Sequence, residues 1–173
     1  MAKSELLAPI ILMWEGGWAD DPLDRGGCTM MGVTIATYRT YCRKKGRTEP
    51  TCEDLKKITE SEWQDIFKTM YWDKWKADCI DNQSIANILV DWIWASGYAT
   101  IKNVQGILKV DTDGIVGTRT LAALNFACQK YLFREIHDER IKFVEAIVAR
   151  DTSQARFING WKNRINYFKY SEI

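Results

Sequence analysis

The sequence predicts a mainly α protein built as two lobes, with a small β-hairpin or irregular loop beside one helix end. Three observations carry that prediction. Apolar residues recur at helical spacing along most of the chain, in stretches opened by Ser, Thr or Asn and closed by Gly. One segment, residues 16–33, interrupts this pattern with paired glycines, Pro22 and a group of aspartates. Beyond Gly97 the apolar runs shorten and gather around a glycine-rich turn. A 173-residue chain that is 46% hydrophobic and holds eight Trp has enough apolar surface for one compact body or two small lobes. The expected division is 1–97 and 98–173, packed as one unit.

Taken in order, Leu6, Leu7, Ile10, Ile11, Met13 and Trp14 give a helix from Ser4 to Glu15, stopped by Gly16. Pro9 either starts a shorter helix near Ala8 or sits inside the longer one at a cost of about 3 kcal/mol. Residues 16–33 read as loop, with a short hairpin strand within Cys28–Val33. Thr34 caps a helix that Gly46 closes, and Thr51 opens a short turn to Ile58. Thr59 and Glu62 have the spacing of a capping box, ahead of a helix carrying Trp63, Ile66, Phe67 and Met70 on one side.

The Tyr71-Trp72-Asp73-Lys74-Trp75 cluster reads first as packing between lobes and second as a platform for sugar rings. Ser84–Gly97 is a buried central helix, and Asp91 within it requires a partner, by default a structural ion pair. A helix near 104–108, a turn over 111–117 and a helix from about Thr118 follow. One long helix is expected over Asn125–Arg150. Its one histidine, His137, lies among charged residues on a solvated face, so neither a zinc site nor a histidine-based triad is expected.

Composition removes several classes of function. With 24 basic and 23 acidic residues the chain lacks the strong positive field of a nucleic-acid binder. Its longest apolar run, Leu6–Trp14, carries Pro9 and is far short of the ~20 residues that span a bilayer. A secretory signal is not expected either, since Glu5 interrupts its basic and apolar start. Five cysteines without Cys-x-x-Cys spacing are expected as reduced, buried thiols. Asp111-Thr112-Asp113-Gly114 opens like a calcium loop but lacks the closing Glu, so no metal is expected, and no organic cofactor.

The chemistry concentrates around Glu15. Apolar neighbours such as Met13, Trp14 and Trp18 disfavour an ionised carboxyl, whereas Asp24, among turn residues and beside Arg25, stays charged. Two carboxyl groups in unlike environments are what hydrolysis of a glycosidic bond uses, one to protonate the leaving oxygen and one to direct water or stabilise the cation. On pattern alone, Glu15 reads first as a surface residue ending a helix, Asp20, Asp21 and Asp24 serve as turn-stabilising residues, and Thr29 is equally a strand residue.

A resemblance weighs these readings. Glu15-Gly16-Gly17-Trp18, then Asp21-Pro22, Asp24, Gly26-Gly27, Thr29 and Gly32-Val33-Thr34, resembles the Glu-Gly-Gly-aromatic signature of glycoside hydrolase family 108. These are lysozyme-like N-acetylmuramidases of phages and bacteria. Asp113-Gly114, Gly117 and Thr120 resemble the turn of the small helical peptidoglycan-binding modules often joined to such enzymes. Gly160-Trp161 with Arg164 is similar to the closing element of phage-type lysozymes.

The resemblance implies a lysozyme-like fold and hydrolysis of the β-1,4 bond between N-acetylmuramic acid and N-acetylglucosamine. It implies catalytic roles for Glu15, Asp24 and Thr29, and substrate contacts at Trp18, Asp21, Met31 and Trp72. The implied partner is the peptidoglycan glycan strand. A monomer is expected, made in the bacterial cytoplasm and acting on the wall after release or export. Two departures stand out: Met30-Met31 where relatives commonly have Asn-Tyr, and Ala95 where Asn is expected. They make a catalytically inactive wall-binding protein the alternative reading, beside a secretion-related one.

Overall fold

A computed structural model describes residues 1–20 and 27–172. The architecture is mainly helical with one small antiparallel sheet, as expected of a lysozyme-like fold. Its packing divides into two compact units, Ser4–Lys74 and a second made of Met1–Lys3 with Trp75–Ile173.

The first unit begins with α1, Ser4–Trp14, which continues past Pro9 as one helix. Of the two arrangements open for Pro9, the costlier holds, because Leu7, Ala8 and Ile11 are buried on both sides of it while the ring itself is exposed. The lost backbone bond therefore falls on the solvent side. Three two-residue strands follow, β1 (Trp18–Ala19), β2 (Thr29–Met30) and β3 (Val33–Thr34), in the order β1-β2-β3. Trp18 faces Met30, Ala19 and Thr34 both face Thr29, and Met30 faces Val33.

Helix α2, Ile35–Lys44, is capped as expected by Thr34, whose hydroxyl accepts from the Thr37 N–H. Thr51 and Asp54 form a reciprocal capping box on α3, Cys52–Lys56. On α4, Glu60–Phe67, Thr59 binds the Glu62 N–H, but the Glu62 carboxylate receives Arg47 at 2.6 Å and the Tyr38 hydroxyl at 3.2 Å. The box expected there thus gives way to a longer-range link to the α2 end. Lys68–Trp72 continues α4 as one π-helical turn, with Met70, Tyr71 and Trp72 buried.

The cysteines depart from expectation. Cys28 and Cys52 form a disulfide across 6.0 Å of Cα separation, joining the approach to β2 with the start of α3. Cys42 is the buried free thiol, whereas Cys79 and Cys128 are exposed. Residues 24 positions apart give no local spacing signal, and only the fold brings them together.

The second unit is centred on α5, Gln83–Ser96, a helix inside the 1–97 lobe of the sequence reading. Asp91 on α5 is fully buried and binds two guanidinium groups, Arg140 at 2.7 Å and Arg164 at 2.8 Å. Arg140 also donates to the Ile88 carbonyl at 3.0 Å. Burial is the largest influence on the Arg140 guanidinium and pushes its pKa down, with Asp91 opposing. The three charges fasten α8 (Gln129–Arg150) and α9 (Ile158–Tyr167) to α5, which is the structural ion pair expected for Asp91.

Helix α6, Ile101–Ile107, precedes the glycine-rich turn. Gln105, fully buried, holds that turn: its amide donates to Asp113 at 2.9 Å and to the Ile115 carbonyl at 3.0 Å, and its carbonyl accepts the Gly114 N–H at 2.8 Å. Gly114 needs its glycine, with φ at +78° and the Lys102 side chain 3.3 Å from where a Cβ would sit. The helix expected from about Thr118 is α7 (Thr118–Phe126), and the long helix expected over Asn125–Arg150 is α8, which starts four residues later at Gln129. Gln129 makes the break, donating to the carbonyls of Leu124, Asn125 and Ala127 at the end of α7.

Candidate active site

Glu15 follows directly on the last residue of α1, its N–H closing a turn onto the Leu12 carbonyl at 3.3 Å. Its side chain is half-buried, between half-buried Trp14 and exposed Gly16. A Cβ built on Gly16 or Gly17 meets nothing within 4 Å, and neither has the positive φ that demands glycine. The bare backbone therefore borders open space next to the acid, where a bulky ligand could approach closely.

The loop after Glu15 is tied to the hairpin. The Met31 N–H donates to the Gly17 carbonyl at 3.4 Å, and Trp18 in β1 pairs with Met30 in β2. Trp18 is half-buried, and the Lys56 ammonium lies 5.4 Å from its ring centroid. Thr29 on β2 is half-buried, its hydroxyl donating at a long 3.5 Å to the Gly27 carbonyl. Glu15, Trp18, Thr29 and Met31 thus lie on one connected piece of the first unit, the end of α1 and the hairpin beside it.

Met31 is the hairpin's tip. It has φ at +47° and precedes Gly32 at +78°, the turn in which both central residues are left-handed. For a non-glycine residue that conformation costs roughly 1–2 kcal/mol. The neighbours that hold it there are Trp63, fully buried, which donates from Nε1 to the Met31 carbonyl at 2.9 Å, and the Cys28–Cys52 bridge at the other end of β2. Nothing in the sequence pairs these groups; Trp63 has only the signature of a core residue.

Tyr71 lies below the same corner. Its hydroxyl is 3.4 Å from the Thr37 hydroxyl, which in turn is 3.2 Å from that of Thr34. Burial raises the Tyr71 pKa, the Thr37 contact opposes this, and the negative charge of Glu15 adds to it. Tyr71 was legible only as a member of an aromatic cluster.

Asp21 and Asp24 lie outside the described residues. Trp72 is fully buried and presents no face to a sugar, so its expected substrate contact gives way to the packing reading of the cluster. Among the described residues no group of His, Cys, Asp and Glu is arranged to hold a metal ion. Asp113 accepts from the Ile115 N–H and Gln105, which hold its carboxyl below its ordinary range and commit it to the turn.

Comparison with known proteins matches this layout. A family model described as Glycosyl hydrolase 108 matches residues 8–97, and one described as Predicted Peptidoglycan domain matches residues 99–166. Among solved structures the chain is similar to that of Brucella abortus SagA, with 26% identity and a TM-score of 0.75 over 98% of this chain and 97% of that one. Comparison with curated proteins gives no match.

Proposed function

The chain belongs to the glycosyl hydrolase 108 family, with a peptidoglycan domain behind the family segment, and on that premise we propose that it is an N-acetylmuramidase using Glu15 as its general acid. Glu15 gives its proton to the glycosidic oxygen as the bond from that oxygen to the anomeric carbon of N-acetylmuramic acid breaks. Water adds to the same carbon, oriented by Thr29 and Asp24, and Asp24 takes up its proton. Trp18, Asp21 and Met31 are assigned to substrate contact around the acid.

One observation carries this reading. The half-buried carboxyl at the end of α1 adjoins open glycine backbone, and that backbone is hydrogen-bonded to the hairpin that bears Thr29. Action on the wall requires release or export from the cytoplasm, and the Cys28–Cys52 bridge suits an oxidising destination.

The test is the clearing of a purified cell-wall suspension by wild type and by Glu15→Gln. The proposal expects clearing by wild type and a loss of about 10²–10⁴-fold in the variant. Binding to walls by both proteins with no clearing by either would leave the non-catalytic wall binder instead.

A further inference from the structure

The second unit contains a groove of about 330 Å³ between the end of α6, α7 and the start of α8. It lies wholly within the segment matched by the peptidoglycan domain. Ile107, Leu108, Ala123 and Leu132 give it apolar walls, with Leu132 buried beneath. Tyr131 stands at its edge, 55% exposed, with the Arg134 guanidinium 4.9 Å from its ring centroid.

Lys109 and Glu135 line the same groove with opposite charge. Among the described residues neither has an ion-pair partner. Lys109 is also held in the left-handed region, at φ +55°, by the Gly106 carbonyl that accepts its N–H. A non-glycine residue kept in that conformation at a groove edge is a form of strain that gathers at ligand sites. Apolar walls with one cation and one anion complement a short chain carrying both a carboxylate and an amine. A glycan of N-acetylated sugars offers neither charge, and its length exceeds a cavity at the small end of the ligand-pocket range.

We propose that this groove binds the peptide stem of peptidoglycan, with Lys109 receiving a stem carboxylate, Glu135 its side-chain amine, and Tyr131 covering the peptide between them. The inference rests on the peptidoglycan reading of the preceding subsection but not on the catalytic role of Glu15. It gives the second unit the task of reading the peptide while the first acts on the sugar.

The test uses the full chain and three probes: a free stem tetrapeptide carrying a diamino acid, the same peptide with that amine acetylated, and peptide-free chitotetraose. Titration calorimetry with wild type should show binding of the free peptide, at least tenfold weaker binding of the acetylated one, and no binding of chitotetraose at the groove. Glu135→Gln and Lys109→Asn, both at accessible positions and the second tolerant of a left-handed backbone, should each weaken the free peptide about tenfold or more. Amide spectra of both variants check that the fold is kept. Affinity for the free peptide unchanged within twofold in both folded variants would overturn the proposal, as would equal binding of the acetylated peptide. Wall clearing measured on the same samples separates the two readings. Clearing by wild type with no peptide binding defeats the groove alone, while peptide binding with no clearing defeats the muramidase alone.

Discussion

Two carboxylates in apolar helical settings have opposite situations in this molecule. Asp91, in the middle of α5, is fully buried and encased by Arg140 and Arg164. Glu15, at the end of α1, is half-buried and stands beside glycine backbone that borders open space. The first arrangement ties helices together and leaves no access for a ligand. The second leaves a carboxyl at the end of a helix beside open backbone, next to a hairpin whose tip is held in the left-handed region. Apolar surroundings alone therefore do not separate a carboxylate committed to the scaffold from one that borders open space.

The largest expected effect breaks the scaffold side of that comparison. Asp91→Ala leaves the buried Arg140 guanidinium without its counter-charge, and removal of one partner from such a group costs about 3–5 kcal/mol. Chemical denaturation should show that loss, with Arg140→Ala giving a similar one. A fall below 1 kcal/mol would mean that the charges contribute little to holding α8 and α9.

Next in size is the bridge that supports the site side. Closing a loop between positions 24 apart stabilises by about 3 kcal/mol in the chain-entropy account. The double variant Cys28→Ser with Cys52→Ser should lose about that much stability and should also lower wall clearing, because the bridge anchors the entry to β2. Loss of stability with full activity would separate the bridge from the site.

A smaller effect sharpens the same point in the opposite direction. Met31→Asn places a residue tolerant of the left-handed region at the hairpin tip and should stabilise the protein by up to about 1 kcal/mol. Thermal melting reads it directly, and no gain would indicate that the methionine side chain makes compensating contacts.

The smallest effect is with pH. The carboxyls of Asp54, Asp65, Asp113 and Asp151 are all lowered, the first and fourth by their own helix or turn caps, Asp65 by Lys45 and Tyr41, and Asp113 by Ile115 and Gln105. A folded-state pKa below the unfolded value gives stability that is present above the ordinary carboxylate range, about pH 4, and is lost as pH falls through the lowered values. Melting temperature should therefore be flat near neutrality as far as these groups go, and should decline below about pH 4. Asp113→Asn should flatten part of that decline.

Much of this architecture was legible because its determinants are local. Thr34, Thr51 and Thr59 announce their helices, Gly114 and Asp113 announce their turn, and a lone Asp91 in an apolar helix announces a partner. The Glu-Gly-Gly string, by contrast, singles out Glu15 only through the family resemblance. What escaped the sequence is long-range or carried by side chains. The Cys28–Cys52 bridge, the Trp63 bond to Met31 and the Lys56 cation over Trp18 join residues with no local spacing. The start of α8 at Gln129 rather than near Asn125 has neither Gly nor Pro to announce it, because the Gln129 side chain supplies the stop. Trp72 misled for the complementary reason: an aromatic next to charges reads as a surface platform, whereas the π-helical turn buries it.

The most direct test of the central claim is to count new reducing ends in digests of purified wall and to identify them after borohydride reduction, with wild type and with Glu15→Gln in parallel. The account predicts muramitol ends that accumulate with wild type and fall to near background when the position-15 acid is replaced in a folded protein. Muramitol released at the same rate by both proteins, or ends of any other kind from wild type, would contradict it.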